Sequence, residues 1–559
     1  VARYSDSASS DEAVLIETDD FALVYDRRNR AFHKKRWDSS TKSWTTKVAP
    51  YSALVAKDDS TVWAEDSDGK TIASGEAGVD DASVIQSAIN AVEAKLESSR
   101  EEEVPKIVFQ GTFTLKNTIK ITKMLHLEGG KFDIQASLGF EVFDGDKSGT
   151  DPQYAGFERM TVIGNGNDAF ACRYCANWFF NRVRMFNVRR GLILERTWGD
   201  NQMMTACRIV GNPSNGEGLV HVITPDNDAT NSFTIIGSSF YCDNDNAAVF
   251  KFEPQAAGSV WNLTFYDVYS EGYGDFFAGE ITNSFIHITH SGTKGNSYLF
   301  NLDVARRIFI HMQYAYGNLR FDELSYSSIK IERIQPSRKD VPLINVVGGV
   351  ISEISIIIAE GAVNSDVDYI KIGETDEWYD RIIIRDAWFG PYVGGRSIIA
   401  FGNGGRPYSC KVINCEFKDV NYHSDYPTCY ALYYQGKGQI VENCAFNTLN
   451  KYEITNDFSG FKFINVKVGD SLFENSGTAT FSGDGTTTDF EIGAHGLVIT
   501  DPSKIAVKVT PVSSDAIAAS PCVGYVDPAD NTKIRVKFAS APASGSGNVK
   551  IVWYAEVIS

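Results

Sequence analysis

The chain has 559 residues, 43% of them hydrophobic and 12% aromatic, and a formal net charge of −18, so it is a globular chain with room for a long core and accessory domains. The acidic balance excludes a nucleic-acid-binding surface and adhesion to anionic lipid, both of which need clustered Lys and Arg. No apolar run reaches the length of a membrane span, so no membrane insertion is expected, the N-terminus lacks the shape of a secretory signal, and the nine cysteines, an odd number spread through predicted strands, read as buried thiols.

Residues 1–75 carry short strand-like runs, AVLIETDDFALVYD and STVWAEDSDGKTIASG, around a basic patch from Arg27 to Arg36. They are expected to form a small β-rich attachment region, with the patch as a solvated loop. In residues 76–156, Asp80 stands where it can cap a helix whose Ala82, Ile85, Ile89, Val92 and Leu96 share one face, and the charged run from Glu97 to Glu103 ends that helix. KIVFQGTFTL, TIKITKMLHLEGGKF and FEVF then read as strands. A coil of strands exposes a bare end, and an amphipathic helix laid across it hides both edge and core.

From 157 to 470 one pattern returns about thirteen times at a spacing of roughly 20–31 residues: a few alternating apolar residues, a polar turn, another apolar run. MTVIG, FTIIGSSF, LTFYDVY, CKVINCEF and IVENCAF are examples. That period, filled by β-branched and aromatic residues without helical periodicity, is what a right-handed, single-stranded parallel β-helix requires. Asn414-Cys415-x-Phe417 and Asn443-Cys444-x-Phe446 share one register, continued by Asn465-Val466, with Asn at the turn and Cys and Phe inside. A β-sandwich or propeller fits less well, because the spacing is irregular and Asn-Gly hairpin signals are sparse. Triple isoleucines at 356–358 and 382–384 place apolar side chains on both strand faces and mark a flank to be covered. Residues 478–559 follow a Gly/Thr-rich boundary with strict alternation, as in Ile534-x-Val536-x-Phe538, and read as a C-terminal antiparallel β-sandwich. The fold class is therefore all-β, with a capping α-helix.

On a β-helix, equivalent strand ends line up, so residues distant in sequence share one groove. Following the same post-strand position through successive coils gives Asp243, Asp245, Glu271, His290, Tyr314 and Tyr316, with Asp275, Arg338, Glu360, Trp388 and Tyr392 along the same edge. Carboxylates beside aromatics suit carbohydrate, whose rings offer apolar faces and hydroxyls. If the chain hydrolyses a glycan, Glu271 with Asp243 or Asp245 forms the catalytic pair, at about 5–9 Å; a lyase would use Lys294 or Arg338 instead. Glycan-binding candidates are Arg196 and Trp198 in the turn RTWGDN, Asp275, His290, Tyr314, Tyr316, Trp388 and Tyr392. Cys172-x-x-Cys175 has no second CxxC or His pair nearby, and GNGGRP at 402–407 lacks the Lys of a phosphate cradle, so both are structural. No cofactor is called for, although the fold leaves room for a structural calcium ion.

The succession GVDDASVIQSAINAV, KIVFQGTFTLKNTIKI, MLHLEGGKF resembles the start of the pectate-lyase-like parallel β-helix superfamily and of virus tailspikes with that fold. It covers residues 78–132 closely and later coils in period. The C-terminal pattern G-D-G-T-T-T-D-F-x-I-x-x-H-G-L, ending in W-x-A-x-V, resembles small C-terminal domains of tail fibres and tailspikes of tailed viruses, archaeal ones in particular. The resemblance implies a virion tail or extracellular location, a homotrimer, virion tail or baseplate proteins as partners, and a host cell-surface polysaccharide or glycoprotein as receptor, with depolymerase activity, glycosidase or lyase, left open. It carries over no catalytic residue. A secreted polysaccharide lyase or glycoside hydrolase, or a microbial surface adhesin, would use the same fold.

Overall fold

The computed structural model describes residues 12–17, 21–26, 31–38, 43–45, 51–96, 104–143, 154–199, 202–225, 229–255, 259–364, 366–373, 379–389, 396–402, 410–417, 430–434, 439–446, 453–455, 461–469 and 471–558. They fall into two compact units, Val1–His287 and Ile288–Ser559.

The first unit opens with a four-stranded antiparallel sheet, Glu12–Glu17, Phe21–Asp26, Ala31–Asp38 and Ser43–Thr45. An antiparallel meander follows, Ala53–Lys57, Thr61–Asp66 and Thr71–Glu76, whose first strand pairs in parallel with Lys106–Leu115. That pairing stitches the meander onto the first coil. Helix α1 (Asp81–Glu93) buries Ala82, Ile85, Ala88, Ile89 and Val92 at helical spacing, and Leu96 just beyond it is buried too. Asp80 occupies the N-cap position without capping through its side chain, which turns back to accept the Glu76 N–H at 2.9 Å. Asp81 does the anchoring. Wholly buried, it accepts from Lys57 Nζ at 2.6 Å and from the N–H groups of Gly78 at 2.8 Å and Thr114 at 2.6 Å, which binds helix, meander and first coil together. The run 97–103 lies outside the described residues.

Each coil consists of two short strands meeting at a corner, then a strand of a second sheet. Trp178–Asn181 turns at Arg182, buries Val183, continues as Arg184–Val188 and passes to Leu192–Glu195. The corner residue sits in the left-handed region at Arg159, Arg182, Ala206, Gly237 and Asp267, and in the second unit at Asp386, Asn414, Asn443 and Asn465. For a residue with a Cβ this costs roughly 1–2 kcal/mol, and stacking offsets it. The corner N–H donates to the next coil, Arg182 to Thr205 O at 3.0 Å and Asn414 to Glu442 O at 3.0 Å. Parallel registers such as Glu128↔Glu158, Glu158↔Asn181 and Asn181↔Thr205 confirm one residue-for-residue stack.

The interiors are ladders of like side chains. In the first unit Phe157 and Phe180 stack at 4.7 Å, and Phe250 and Phe277 at 5.1 Å. In the second, Phe389, Phe417 and Phe446 stack at 4.9 and 4.6 Å, and Cys415 and Cys444 lie buried one above the other. Outside, Asn465 Nδ2 donates to Asn443 Oδ1 at 2.7 Å and Asn414 Nδ2 to Asp386 Oδ1 at 3.0 Å. Of the triple isoleucines, Ile356, Ile382 and Ile384 are buried, Ile357 is exposed, and Ile358 and Ile383 are half-buried. The last coil ends in a hairpin, Lys467–Val468 against Ser471–Leu472. The chain then forms two three-stranded antiparallel sheets, Glu474–Gly483, Gly545–Val557 and Ile505–Pro511, and Asp489–Ala494, Asp530–Phe538 and Cys522–Asp527. Ile534, Val536, Ile551 and Ala555 fill the space between them.

Candidate functional site

The coil from Ser259 to Gly272 in the first unit presents an unusual outer face. Its strands Ser259–Trp261, Thr264–Tyr266 and Tyr269–Gly272 turn at Asn262 and Asp267, both left-handed. Leu263, Phe265 and Val268 point inward, which sends Trp261, Tyr266, Tyr269 and Glu271 outward, with Tyr273 just beyond. On the adjoining coil Phe285 lies in register with Thr264, and His287 with Tyr266, their rings stacked at 4.8 Å and 20°. Tyr266 is 51% exposed, and Trp261, Tyr269, Tyr273 and Phe285 are each 37–39% exposed. Water against that much aromatic surface is unfavourable.

Glu271 lies inside the strand Tyr269–Gly272, opposite Tyr241, and not in a post-strand turn. Its carboxylate accepts the Tyr269 hydroxyl at 2.8 Å, a bond that holds the phenol above its usual range. Asp243 and Asp245 are exposed in the turn before Ala248–Pro254. Asp243 is two residues past the partner of Glu271, which places the two Cα atoms about 8 Å apart from strand rise and strand spacing. Asp275 opens the next strand, in register with Ala248 on the second sheet, whereas Glu271 belongs to the first.

His290, Tyr314 and Tyr316 also lie within strands, Phe285–Gly292 and Phe309–Tyr316. In the second unit His290 stacks on Tyr314 at 5.0 Å and 8°. The row continues through the registers Tyr314↔Arg333, Arg333↔Ile358, Ile358↔Trp388 and Trp388↔Glu416. Arg333 lies 5.7 Å from the Tyr314 ring centre and makes a forked pair with Glu360 at 2.7–2.9 Å; Gln335 also donates to Glu360. His290, Tyr314, Trp388 and Glu360 thus share one face, which sequence reasoning found while missing Arg333 between them. Tyr316 is the next outward residue, opposite Gln335. Arg338 is held by Asp340 at 2.7 Å and Asn296 O at 2.7 Å. Tyr392 lies outside the described residues, as does most of the loop at 402–407.

Trp198 is half-buried. Arg196 Cζ lies 5.8 Å from its ring centre and 5.5 Å from that of Tyr174, both within cation–π range. Tyr174 was not legible as a partner, being separated from Arg196 by a full coil. His126, Glu128 and Glu158 bring three metal-type donors within 4.8 Å of one another. Those donors are already engaged: Lys106 and Arg159 pair with Glu128, Glu158 takes His126 Nε2 at 3.2 Å and Asn181 at 3.3 Å, and Tyr154 meets His126 Nδ1 at 3.4 Å. The cluster is therefore assigned to no metal. Cys172 and Cys175 are buried thiols, and burial raises Cys172 well above the ordinary thiol range. Among the described residues no helix is long and apolar enough to cross a membrane.

No family model and no curated protein matches the chain. Among solved structures it is similar to a mutant tailspike protein of E. coli bacteriophage HK620 in complex with a hexasaccharide, at 11% identity over 88% of this chain and 92% of that chain, with a TM-score of 0.42. It is similar to PfbA, a surface adhesin of Streptococcus pneumoniae, at 11% identity over 75% of this chain and 95% of that one, TM-score 0.31. A third similarity is to a tailspike protein of Pseudomonas phage LKA1, at 10% identity over 81% of this chain and 68% of that chain, TM-score 0.24.

Proposed function

We propose that this chain is an attachment protein of the tailspike or tail-fibre type, which holds a host cell-surface polysaccharide against the outer face of its β-helix. The observation that carries the reading is the group of Tyr266, Tyr269 and Phe285 on adjoining strands of one sheet, with Tyr273 just beyond and Glu271 bonded to Tyr269, four aromatics left part-exposed. Sugar rings stack their C–H faces on such side chains and donate hydroxyls to a carboxylate. A stack of coils repeats its side chains at a fixed rise, which suits a polymer with a repeat of its own. The row of His290, Tyr314, Arg333 and Trp388 in the second unit offers the same mixture of rings and charge, and Arg196 with Trp198 a third patch. The resemblance of residues 78–132 and of the C-terminal sandwich to tailspike segments supports a virion tail location, a homotrimer and tail or baseplate proteins as partners.

Binding is favoured over cleavage. Glu271 stands exposed with the Tyr269 phenol bonded to it, and Asp243 and Asp245 stand exposed in their turn, an open face that offers a polysaccharide hydrogen-bond acceptors. The Glu271→Gln variant separates the two roles, because it keeps shape and hydrogen bonding but loses the titratable proton. On a polysaccharide the wild type binds, the variant is expected to bind as well, and neither protein should shorten the polymer. A depolymerase would instead show chain shortening by the wild type, reduced about 100-fold or more in the variant. A wild type that binds no polysaccharide from any array would sink the attachment reading.

A further inference from the structure

Within the second unit a cavity of about 480 Å³ opens between the last-coil strand Phe461–Ile464 and the sandwich strands Glu474–Gly483 and Gly545–Val557. It lies where the chain leaves the coil by a hairpin. Its walls are tied by Val557 N–H to Phe473 O at 2.9 Å and by Asn465 N–H to Glu474 Oε1 at 2.9 Å. The volume lies in the range of about 300–1,000 Å³ usual for small-molecule sites.

One wall is apolar, with Phe463 and Phe473 stacked at 4.1 Å and 10°. The other is polar and fixed. The Tyr554 hydroxyl donates to Glu474 Oε2 at 2.6 Å and also reaches Glu556 Oε2 at 3.1 Å, while Lys508 Nζ holds Glu556 Oε1 at 2.9 Å. Lys508 keeps Glu556 below the usual carboxylate range, and the bond to Glu474 drives the Tyr554 phenol far above its own. Two carboxylates are thus set side by side. Each oxygen has a second lone pair available to a ligand. Lys462 stands exposed among the lining residues.

We propose that this cavity is a saccharide pocket, taking one or two neutral sugar rings with their apolar face on Phe463 and their hydroxyls donating to Glu474 and Glu556. An anionic ligand would meet two carboxylates, and a purely apolar one would strand them without water. Lys508 already neutralises Glu556, which leaves a hydroxyl-rich neutral molecule as the best complement. The inference rests on the attachment reading for the class of ligand, though not for its place.

Saturation-transfer NMR on the full chain, with free glucose, galactose, mannose, N-acetylglucosamine and lactose as probes, tests it. At least one probe should receive saturation from the wild type. Glu556→Gln, and separately Tyr554→Phe, which removes the hydroxyl linking the carboxylates while keeping the ring, should weaken that binding at least fivefold. The flank variant Tyr266→Ala/Tyr269→Ala should leave it intact. Circular dichroism confirms that each variant is folded. No transfer from any probe to the wild type overturns the proposal; so does a signal untouched by both pocket variants, or one lost in the flank variant and kept in Glu556→Gln. Polysaccharide binding by the flank is scored on its own, so the pocket fails independently of the attachment reading.

Discussion

Tyr266 and Tyr269 offer the sharpest handle on the exposed strip, because their removal should cost binding and leave the fold alone. A tyrosine side chain presents roughly 200 Å². With Tyr266 51% exposed, about 100 Å² is open, and a sugar ring covering one face removes about 50 Å² of it from water. At ~25 cal/mol/Å² this is ~1.3 kcal/mol, about ninefold in Kd. Tyr269 is 37% exposed, and the same arithmetic gives ~1 kcal/mol, about fivefold. The double Ala variant should therefore weaken binding about 50-fold if the two rings act independently. Tyr326→Ala is the control, since Tyr326 is 55% exposed at a corner of the second unit and belongs to none of these strands. Surface plasmon resonance on immobilised polysaccharide reads the affinity, and thermal melting reads the fold. Affinity within twofold of wild type in the double variant would refute the reasoning, and so would an equal loss in Tyr326→Ala.

Three further expectations concern the scaffold. Phe417→Ala empties the middle of the Phe389–Phe417–Phe446 ladder and should cost about 3–5 kcal/mol in urea unfolding; under about 1.5 kcal/mol would mean the coil collapses onto the gap. Asp81→Asn leaves Lys57 and two N–H groups facing an amide, and should destabilise the first unit by about 3–5 kcal/mol. A loss confined to a few tenths of a kilocalorie would deny the anchor its role. Burial holds His126 and His221 below the ordinary imidazole range despite Glu158 and Glu253 beside them. The unfolded chain then binds more protons below about pH 6.5, so this stability is full above that pH and is lost as pH falls through the folded values. Melting should be lower at pH 5.5 than at pH 7.5, with the gap narrowed in His221→Gln, and a flat profile would contradict it.

What was legible in the sequence follows the range of the interaction that fixes it. The coils show because stacking repeats like residues at a period, as Asn414-Cys415-x-Phe417 and Asn443-Cys444-x-Phe446 do. Corners show only where Asn or Asp marks the left-handed residue. Arg159, Arg182 and Ala206 take the same conformation with nothing local to announce it, since neighbouring coils impose it. The choice of Asp81 over Asp80 was equally hidden, because its donors Lys57 and Thr114 are 24 and 33 residues away. So was the cavity, whose Tyr554–Glu474 bond spans 80 residues.

The site residues fail differently, and more usefully. Placing Glu271 after the end of the run LTFYDVY stopped the strand too early, since Tyr269–Gly272 is strand, and alternation carries Tyr269 and Glu271 outward together, with Tyr273 beyond. An exposed carboxylate on a coil is no surprise, since acids bond turn amides and keep a surface soluble. An exposed tyrosine at a strand position is one, because the same position could carry a threonine or a lysine at no hydrophobic cost. The informative mark on a β-helix is thus the outward aromatic, found one residue along the strand from a buried Phe or Val. Counted from Phe265 and Val268, that rule finds Tyr266 and Tyr269 before any acid is considered. The carboxylate then matters for where it stands relative to the rings, and Glu271 is the acid whose oxygen one of those rings already holds.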